Sequence, residues 1–189
     1  LANYLQPNMQ ARGGGAIDLE VKIYPKFANF EDLVLLHIYV DTRDAMGANL
    51  VNSICEGITP LVEKIANAKA FIRILSNLSD RSIARSTCVI PPKLLAGKDA
   101  SGEAIRDGIV LANYFASIDP HRAATHNKGI MNGIDPLAIA TGNDWRAIEA
   151  GIHSYASRGT YYTALTQWYK DDEGNLVGKI ELPLKVRIV

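Results

Sequence analysis

Two neighbouring hydrophobic patterns constrain the fold most strongly. From Ala16 to Tyr24, apolar side chains alternate with charged ones, which is typical of a β-strand with one face buried. Residues 33–40 are almost all apolar and predict a central strand covered on both faces. Because only a short connection joins the two runs, the sequence favours an antiparallel pair.

The segment that follows predicts a helix and a further strand. An apolar stripe at helical spacing is formed by Leu50, Ile54, Ile58, Leu61 and Ile65, and Pro60 should bend or divide that helix. Residues 71–75 then predict a strand, while residues 1–12 resemble the end of a helix. This order fits the later part of a ferredoxin-like unit. The classical dinucleotide fold is not indicated, because no G-x-G-x-x-G motif follows a strand.

The remainder of the chain predicts a larger mixed α/β region, so the fold class is α+β. Residues 119–140 show little clean periodicity. The other elements expected there are an extended segment at 83–90, helices at 101–117 (with Ser101 as N-cap) and 144–157, and strands at 161–170 and 176–189 that flank a hairpin turn at 171–175. We divide the chain into domains at 1–76 and 77–189.

Composition excludes several functional classes. Twenty Lys and Arg balance twenty Asp and Glu, which gives no electrostatic case for nucleic acid or an anionic membrane as a partner. No apolar run approaches the ~18 residues of a membrane span. The two cysteines suit a reducing cytoplasm and lack the spacing of a zinc site, so no metal is predicted. Both ends lie inside patterned segments, and we therefore expect a piece of a longer chain.

Residues 41–49 are the first segment with more functional side chains than packing needs. A strand ends there, the chain turns, and a helix begins near Gly47, where unpaired N–H groups favour phosphate or another anion. Gly47 and Ala48 would allow a ligand to approach the backbone closely. The alternative is that Asp44 caps the helix and the small residues serve packing.

Residues 119–133 are the second such segment. Arg122, Lys128, two histidines and two asparagines lie there among small residues. A partly desolvated lysine beside glycine would carry a charge of unusual strength. A solvated loop is the alternative. Asp144 stands at a predicted helix start, where an N-cap role is the simpler interpretation.

Three motifs together resemble a known family. They are Asp44-Ala45-Met46-Gly47-Ala48-Asn49, the run from His126 to Gly133, and Gly142-Asn143-Asp144. In this order and spacing they closely resemble class II, bacterial-type 3-hydroxy-3-methylglutaryl-coenzyme A reductase. The resemblance extends over essentially the whole chain.

The resemblance implies a reaction and a set of site residues. The family interconverts 3-hydroxy-3-methylglutaryl-CoA with mevalonate and CoA, using two hydrides of NADH or NADPH, and works as a homo-oligomer with a dimer as active unit. Lys128 and Asp144 match catalytic residues, while Arg122 and Asn132 match substrate-binding residues. The cofactor-binding positions matched are Asp44, Met46, Gly47, Asn49 and Asn77.

The resemblance also implies what this chain lacks. The family uses a catalytic glutamate upstream and a histidine on a mobile C-terminal segment, and the four histidines here match other positions. We therefore expect the 189 residues alone to be inactive. Two alternatives stay open: a non-catalytic nucleotide- or CoA-binding fragment, and a structural fragment that folds only beside a partner copy.

Overall fold

The computed structural model describes residues 1–187, and these form two compact units. The first runs from Leu1 to Leu75 and the second from Ser76 to Arg187. Each is described by itself below. No helix among the described residues combines the length and the apolar character that crossing a bilayer requires.

The first unit is built on an antiparallel strand pair. Strand β1 (Gly15–Tyr24) pairs with β2 (Leu33–Asp41), with a bulge between Ala16 and Asp18. The predicted antiparallel pairing is confirmed. Two short helices, α1 (Ala2–Leu5) and α2 (Pro7–Ala11), precede the pair and α3 (Ala48–Ala66) follows it.

Of the two effects predicted for Pro60, bending or dividing the helix, division is wrong, because α3 is continuous from Ala48 to Ala66. The ring removes one backbone donor, yet the helix runs a further turn and a half to Ala66. Before the proline, the Thr59 hydroxyl donates to the Cys55 carbonyl oxygen at 2.7 Å. The buried face of the helix includes Ile54 and Ile58, both members of the predicted apolar stripe.

Two strand expectations in this unit are corrected. Among the described residues the β1–β2 sheet has two strands, so β2 is not central there, and the apolar face of β1 remains exposed at Ile17, Leu19, Val21 and Ile23. Residues 71–75 form no strand. There the Leu75 N–H donates to the Asn52 side chain at 2.9 Å. An apolar run becomes a strand only where a neighbouring backbone is available for pairing.

The second unit combines a small sheet with three helices. Its elements are β3 (Ile83–Ile90), a 3-10 turn (Pro92–Leu94), α4 (Gly102–Ile118), α5 (Pro120–Ala140), α6 (Trp145–Ala156), β4 (Thr166–Lys170) and β5 (Leu176–Pro183). The antiparallel sheet has the order β3-β5-β4. Ser101 caps α4 as predicted, and the predicted hairpin turn is closed by a 3.1 Å bond from the Asp171 N–H to the Asn175 carbonyl oxygen.

Helix α5 is the main departure from the sequence prediction in this unit. The segment without clean periodicity is a 21-residue helix whose buried residues are Ala123, Asn127, Met131 and Ala138. Small and polar members of this stripe obscured its helical spacing. The last two strands are shorter than predicted: β4 begins at Thr166, and β5 ends at Pro183. The predicted end of β5, residues 188 and 189, lies outside the described residues.

The core of the second unit lies where α5 packs on α6 and α6 packs on β5. Its buried members are Met131, Ala138, Ile148, Ile152, Tyr155, Ala156, Leu165 and Leu182. Ile152 has no exposed surface. This packing fixes the two helices that carry Lys128 and Asp144.

Replacing Ile152 by alanine tests this core. We expect Ile152→Ala to lower the free energy of unfolding by about 2–5 kcal/mol, because it leaves a cavity where the surrounding atoms relax only partly. Leu94, at the end of the 3-10 turn, is 71% exposed, and Leu94→Ala should change the stability by less than about 0.5 kcal/mol. Urea unfolding followed by circular dichroism measures both. Equal effects of the two substitutions would contradict the assigned core.

Candidate active site

The turn between β2 and α3 is held by its own hydrogen bonds. The side chain of Thr42 is buried, and its hydroxyl donates to the Ala45 carbonyl oxygen at 2.8 Å. The Arg43 N–H donates to the Asp41 carboxylate at 2.8 Å, and Arg43 itself adopts a positive φ of 52°. The turn therefore has a defined shape before any ligand is considered.

Gly47 determines how α3 begins. It is the N-cap with a φ of 82°, and a Cβ there would lie 2.4 Å from the Thr42 methyl carbon, so a side chain has no room. No side chain caps the helix, and its first bond runs from the Val51 N–H to the Gly47 carbonyl oxygen. The preceding N–H groups, which have no partner in the helix, are available to an anion.

The predicted cofactor residues of this turn lie around the start of α3. Asp44 is exposed and forms an ion pair with Arg12 at 3.3 Å, so the alternative that it caps the helix is wrong. Met46 is half-buried, and Asn49 is exposed in the first turn of the helix. The structure thus brings Asp44, Met46, Gly47 and Asn49 together on one turn.

Asn77, the fifth predicted cofactor residue, belongs to the second unit. Its side chain is exposed, while its backbone packs on α6. A Cβ on Gly151 would lie 2.5 Å from the Asn77 carbonyl oxygen, so Gly151 permits this close approach.

The second predicted segment is organised by α5. Asp119 caps the helix by accepting a hydrogen bond from the Arg122 N–H at 2.9 Å, and Pro120 occupies the first helical position. The cap fixes the backbone of Arg122 in the first turn of the helix, where the residue is half-buried. The solvated-loop alternative for this segment is wrong.

Asn127 ties the buried face of α5 to the chain that leads into β4. It is completely buried, its amide donates to the Thr163 carbonyl oxygen at 2.9 Å, and its side-chain oxygen accepts from the Leu165 N–H at 3.0 Å. The sequence interpretation assigned it no role. The available signal was its position four residues after Ala123 and four before Met131, on one helical face.

His126 supports the same attachment. Its Nε2 lies 2.6 Å from the Thr166 hydroxyl oxygen. Burial lowers the pKa of His126, and the positive charge of Arg122 lowers it further. Both effects favour the neutral imidazole, which can share a hydrogen bond with a hydroxyl.

Lys128 and Asn132 lie on the open face of α5. They are four residues apart, so their side chains project from adjacent turns of one face, and both are exposed. Among residues 1–187, the Lys128 ammonium has no hydrogen bond or ion pair. A Cβ placed on Gly129 or Gly133 would meet no atom within 4 Å. The lysine therefore stands beside an unobstructed strip of backbone.

Asp144 begins α6. Its carboxylate accepts a hydrogen bond from the Ala147 N–H at 3.1 Å, which confirms the N-cap interpretation, and it remains exposed. The turn before it is held by Asn143, whose side-chain oxygen accepts from the Arg187 N–H at 2.7 Å. A carboxylate that uses one lone pair as a cap retains others for a further partner.

Comparison with known proteins places this arrangement in a family. The family model described as hydroxymethylglutaryl-coenzyme A reductase matches residues 1–189. A protein from Archaeoglobus fulgidus named 3-hydroxy-3-methylglutaryl-coenzyme A reductase is 46% identical over 188 residues, which are 100% of this chain and 41% of that protein. The chain belongs to the hydroxymethylglutaryl-coenzyme A reductase family.

Solved structures of the same family share the fold. A 3-hydroxy-3-methylglutaryl-coenzyme A reductase from Streptococcus pneumoniae matches with a TM-score of 0.90 and 46% identity over 98% of this chain and 44% of that one. A class II reductase from the same organism, described as bound to NADPH in open conformations, matches with a TM-score of 0.91 and 45% identity, again over 98% and 44%. The chain thus spans less than half the length of these relatives.

Replacing Asn127 tests whether this residue attaches α5 to the segment that precedes β4. Asn127→Ala leaves the half-buried Thr163 carbonyl and the buried Leu165 N–H without partners, and each buried unpaired group costs about 1–3 kcal/mol. We expect the free energy of unfolding to fall by at least that amount in urea unfolding. Asn132→Ala, on the exposed face of the same helix, is the matched control and should leave stability nearly unchanged. A stable Asn127→Ala variant would contradict the attachment.

Proposed function

We propose that the protein containing this chain is a hydroxymethylglutaryl-CoA reductase. In that reaction two hydrides and two protons convert the thioester of 3-hydroxy-3-methylglutaryl-CoA to the alcohol of mevalonate and release CoA as a thiol. The observation that carries the proposal is the open face of α5, where Lys128 and Asn132 project from adjacent turns of a helix that Asn127 anchors.

Lys128 is proposed to stabilise the charge that develops on oxygen. Addition of a hydride to the thioester carbonyl, and later to the aldehyde carbonyl, places negative charge on that oxygen. An ammonium group on a fixed helix, without a competing ion pair among residues 1–187, is suited to donate a hydrogen bond to it. Preorganised donors of this kind often supply the largest single contribution to catalysis.

Three further residues receive roles in the same proposal. Asp144, fixed as the N-cap of α6, makes no hydrogen bond or ion pair with Lys128 in this structure; in the complex with substrate it would orient the lysine and balance its charge. Asn132 would bind the substrate beside Lys128 on the same face. Arg122, held in the first turn of α5, would clamp the carboxylate end of the substrate, because a guanidinium binds both oxygens of a carboxylate.

The first unit is proposed to bind the nicotinamide nucleotide, NADH or NADPH, which supplies the hydride when bound. The residues fit such a ligand: the start of α3, which no side chain caps, offers backbone donors to a phosphate, and glycine at position 47 permits the positive φ and the close contact with Thr42 that shape this turn. Asp44, Met46 and Asn49 surround that start, and Asn77 is proposed to contact the nucleotide as well. Residues 1–76 would then be the C-terminal part of a ferredoxin-like nucleotide domain, and the β1-β2-α3 order supports this.

We further propose a dimer as the active unit and a cytoplasmic location. Exposed apolar side chains on α4 support association with a second copy, which would remove them from water: Leu111, Tyr114, Phe115 and Ile118. The free cysteines Cys55 and Cys88 suit a reducing compartment.

Replacing Lys128 tests the proposed reaction. In the full-length protein that contains this chain, we expect Lys128→Ala to lower turnover by about 10²-fold or more while the affinity for the thioester changes far less. Lys98→Ala, at another exposed lysine of the second unit, should keep normal turnover. Steady-state oxidation of NADH and NADPH measures both variants. Near-normal turnover in Lys128→Ala would overturn the role assigned to Lys128, whereas an unaltered protein that binds the nucleotide without oxidising it would favour a binding module.

Replacing Arg122 tests the carboxylate clamp. Lysine retains the charge but not the planar fork, so Arg122→Lys should weaken binding of the hydroxymethylglutaryl thioester much more than binding of the nucleotide. Calorimetric titration with each ligand separates the two effects. Equal weakening of both would show that the substitution disturbs the fold rather than one contact.

A further inference from the structure

All three helices of the second unit attach to one short strip of chain through polar groups. This strip, residues 162–168, comprises the approach to β4 and the first three residues of that strand. Asn127 holds α5 to the approach, as described above. On the same helix, Nε2 of His126 lies 2.6 Å from the Thr166 hydroxyl oxygen. Helix α5 is therefore fixed along the strip by two consecutive residues.

Helix α4 contacts the strip through a second buried asparagine. The Asn113 amide donates to the Thr166 carbonyl oxygen at 3.0 Å, and its side-chain oxygen accepts from the Trp168 N–H at 2.7 Å. Like Asn127, it bonds the carbonyl of one residue and the N–H of the residue two further on, as a residue of a parallel strand would. Because β4 is the last strand of its sheet, Asn113 covers the side on which a further strand would otherwise pair.

Helix α6 contacts the beginning of the strip. Nδ1 of His153 lies 2.7 Å from the Tyr162 hydroxyl oxygen, and the two rings stack with their centroids 6.0 Å apart. Glu149, one turn earlier, contacts the other ring nitrogen at 2.6 Å and so holds the orientation of the imidazole. At the end of α6, the Ala156 carbonyl oxygen accepts from the Thr163 N–H at 3.1 Å. Both a side chain and the backbone of α6 are thus attached to the strip.

Two of these helices carry the proposed catalytic pair, Lys128 and Asp144. Lys128 directly follows Asn127 on α5, and Asp144 is the N-cap of α6. Within the described residues no hydrogen bond or ion pair joins the two side chains, so their relative placement depends on how each helix is held. Apolar packing between the helices is not directional, whereas hydrogen bonds of defined geometry set the rotation of each helix.

We propose that the strip 162–168 sets the placement of α5 relative to α6, and that Tyr162 and Thr166 are positioning residues for the catalytic pair. Tyr162 acts through its contact with α6, and Thr166 acts through its contact with α5. The positioning role rests on the function proposed above, whereas the attachments themselves do not. Displacement of a catalytic group by about 1 Å can cost on the order of 10²-fold in rate, so the loss of one hydroxyl contact should reduce turnover measurably.

Nitrogen NMR of the full-length protein, labelled at histidine, tests both contacts without activity. Thr166→Val removes the hydroxyl and should move the Nε2 signal of His126, whereas Thr166→Ser keeps the hydroxyl and should leave the signal in place. Tyr162→Phe should move the Nδ1 signal of His153. Tyr161→Phe, at the exposed neighbouring tyrosine, is the matched control and should move neither signal. An unmoved signal in Thr166→Val or Tyr162→Phe would overturn that contact and the positioning role that depends on it.

Steady-state turnover of the same variants tests the positioning role. Thr166→Val should lower kcat by about tenfold or more while KM for the thioester stays nearly unchanged, and Thr166→Ser should keep kcat within about threefold. Tyr162→Phe should lower kcat in the same way, and Tyr161→Phe should not. Equal kcat values for the valine and serine variants would overturn the role of Thr166, and a normal kcat in Tyr162→Phe would overturn that of Tyr162. If valine prevents folding, Tyr162→Phe decides whether the strip positions the catalytic pair.

This proposal and the proposed reaction fail in distinguishable ways. Near-normal turnover in Lys128→Ala would overturn the role of Lys128, while the NMR signals would still decide whether the strip holds both helices. Unmoved histidine signals together with an inactive Lys128→Ala variant would overturn the positioning by the strip and support the reaction.

Discussion

The two hydrogen bonds of Asn127 are the interaction on which the second unit most depends. They join the middle of α5 to the backbone at Thr163 and Leu165, just before β4 begins. Because Asn127 is completely buried, water cannot replace these bonds if they break. The same attachment determines which face of α5 turns away from the core. Lys128 is exposed because its neighbour is held inward.

Hydrophobic periodicity correctly predicted those helices and strands in which one face consists of apolar side chains. Strand β1, helix α4 and helix α6 are of this kind, and the structure places them within a residue or two of the prediction. It failed for α5, where Asn127 and two alanines stand on the buried stripe. A buried asparagine makes its contribution through hydrogen bonds with distant backbone groups, which the local sequence does not show.

Strand formation was harder to predict because it depends on partners elsewhere in the chain. The 71–75 run has suitable side chains but no described strand beside it, and Phe71 is 88% exposed.

The candidate site was also hard to predict in detail from the sequence. The spacing of Lys128 and Asn132 indicated a shared face only once α5 was known to be a helix. The sequence likewise offered Asp44 as one candidate for the N-cap of α3, because aspartate is a favoured capping residue. In the structure Gly47 is the N-cap, because it can adopt the positive φ that the turn needs.

Two glycines of α5 give the strongest physical argument that its exposed face binds a ligand. Glycine inside a helix costs roughly 0.5–1 kcal/mol relative to alanine, and α5 contains Gly129 and Gly133 one turn apart. Packing within the described residues does not explain them, since a methyl group at either position would touch nothing. On the buried face, the hydrogen bonds of Asn127 and the core packing of Met131 stabilise the helix and offset this cost. A helix anchored in this way can leave bare backbone beside Lys128, where a ligand has room to approach the ammonium closely.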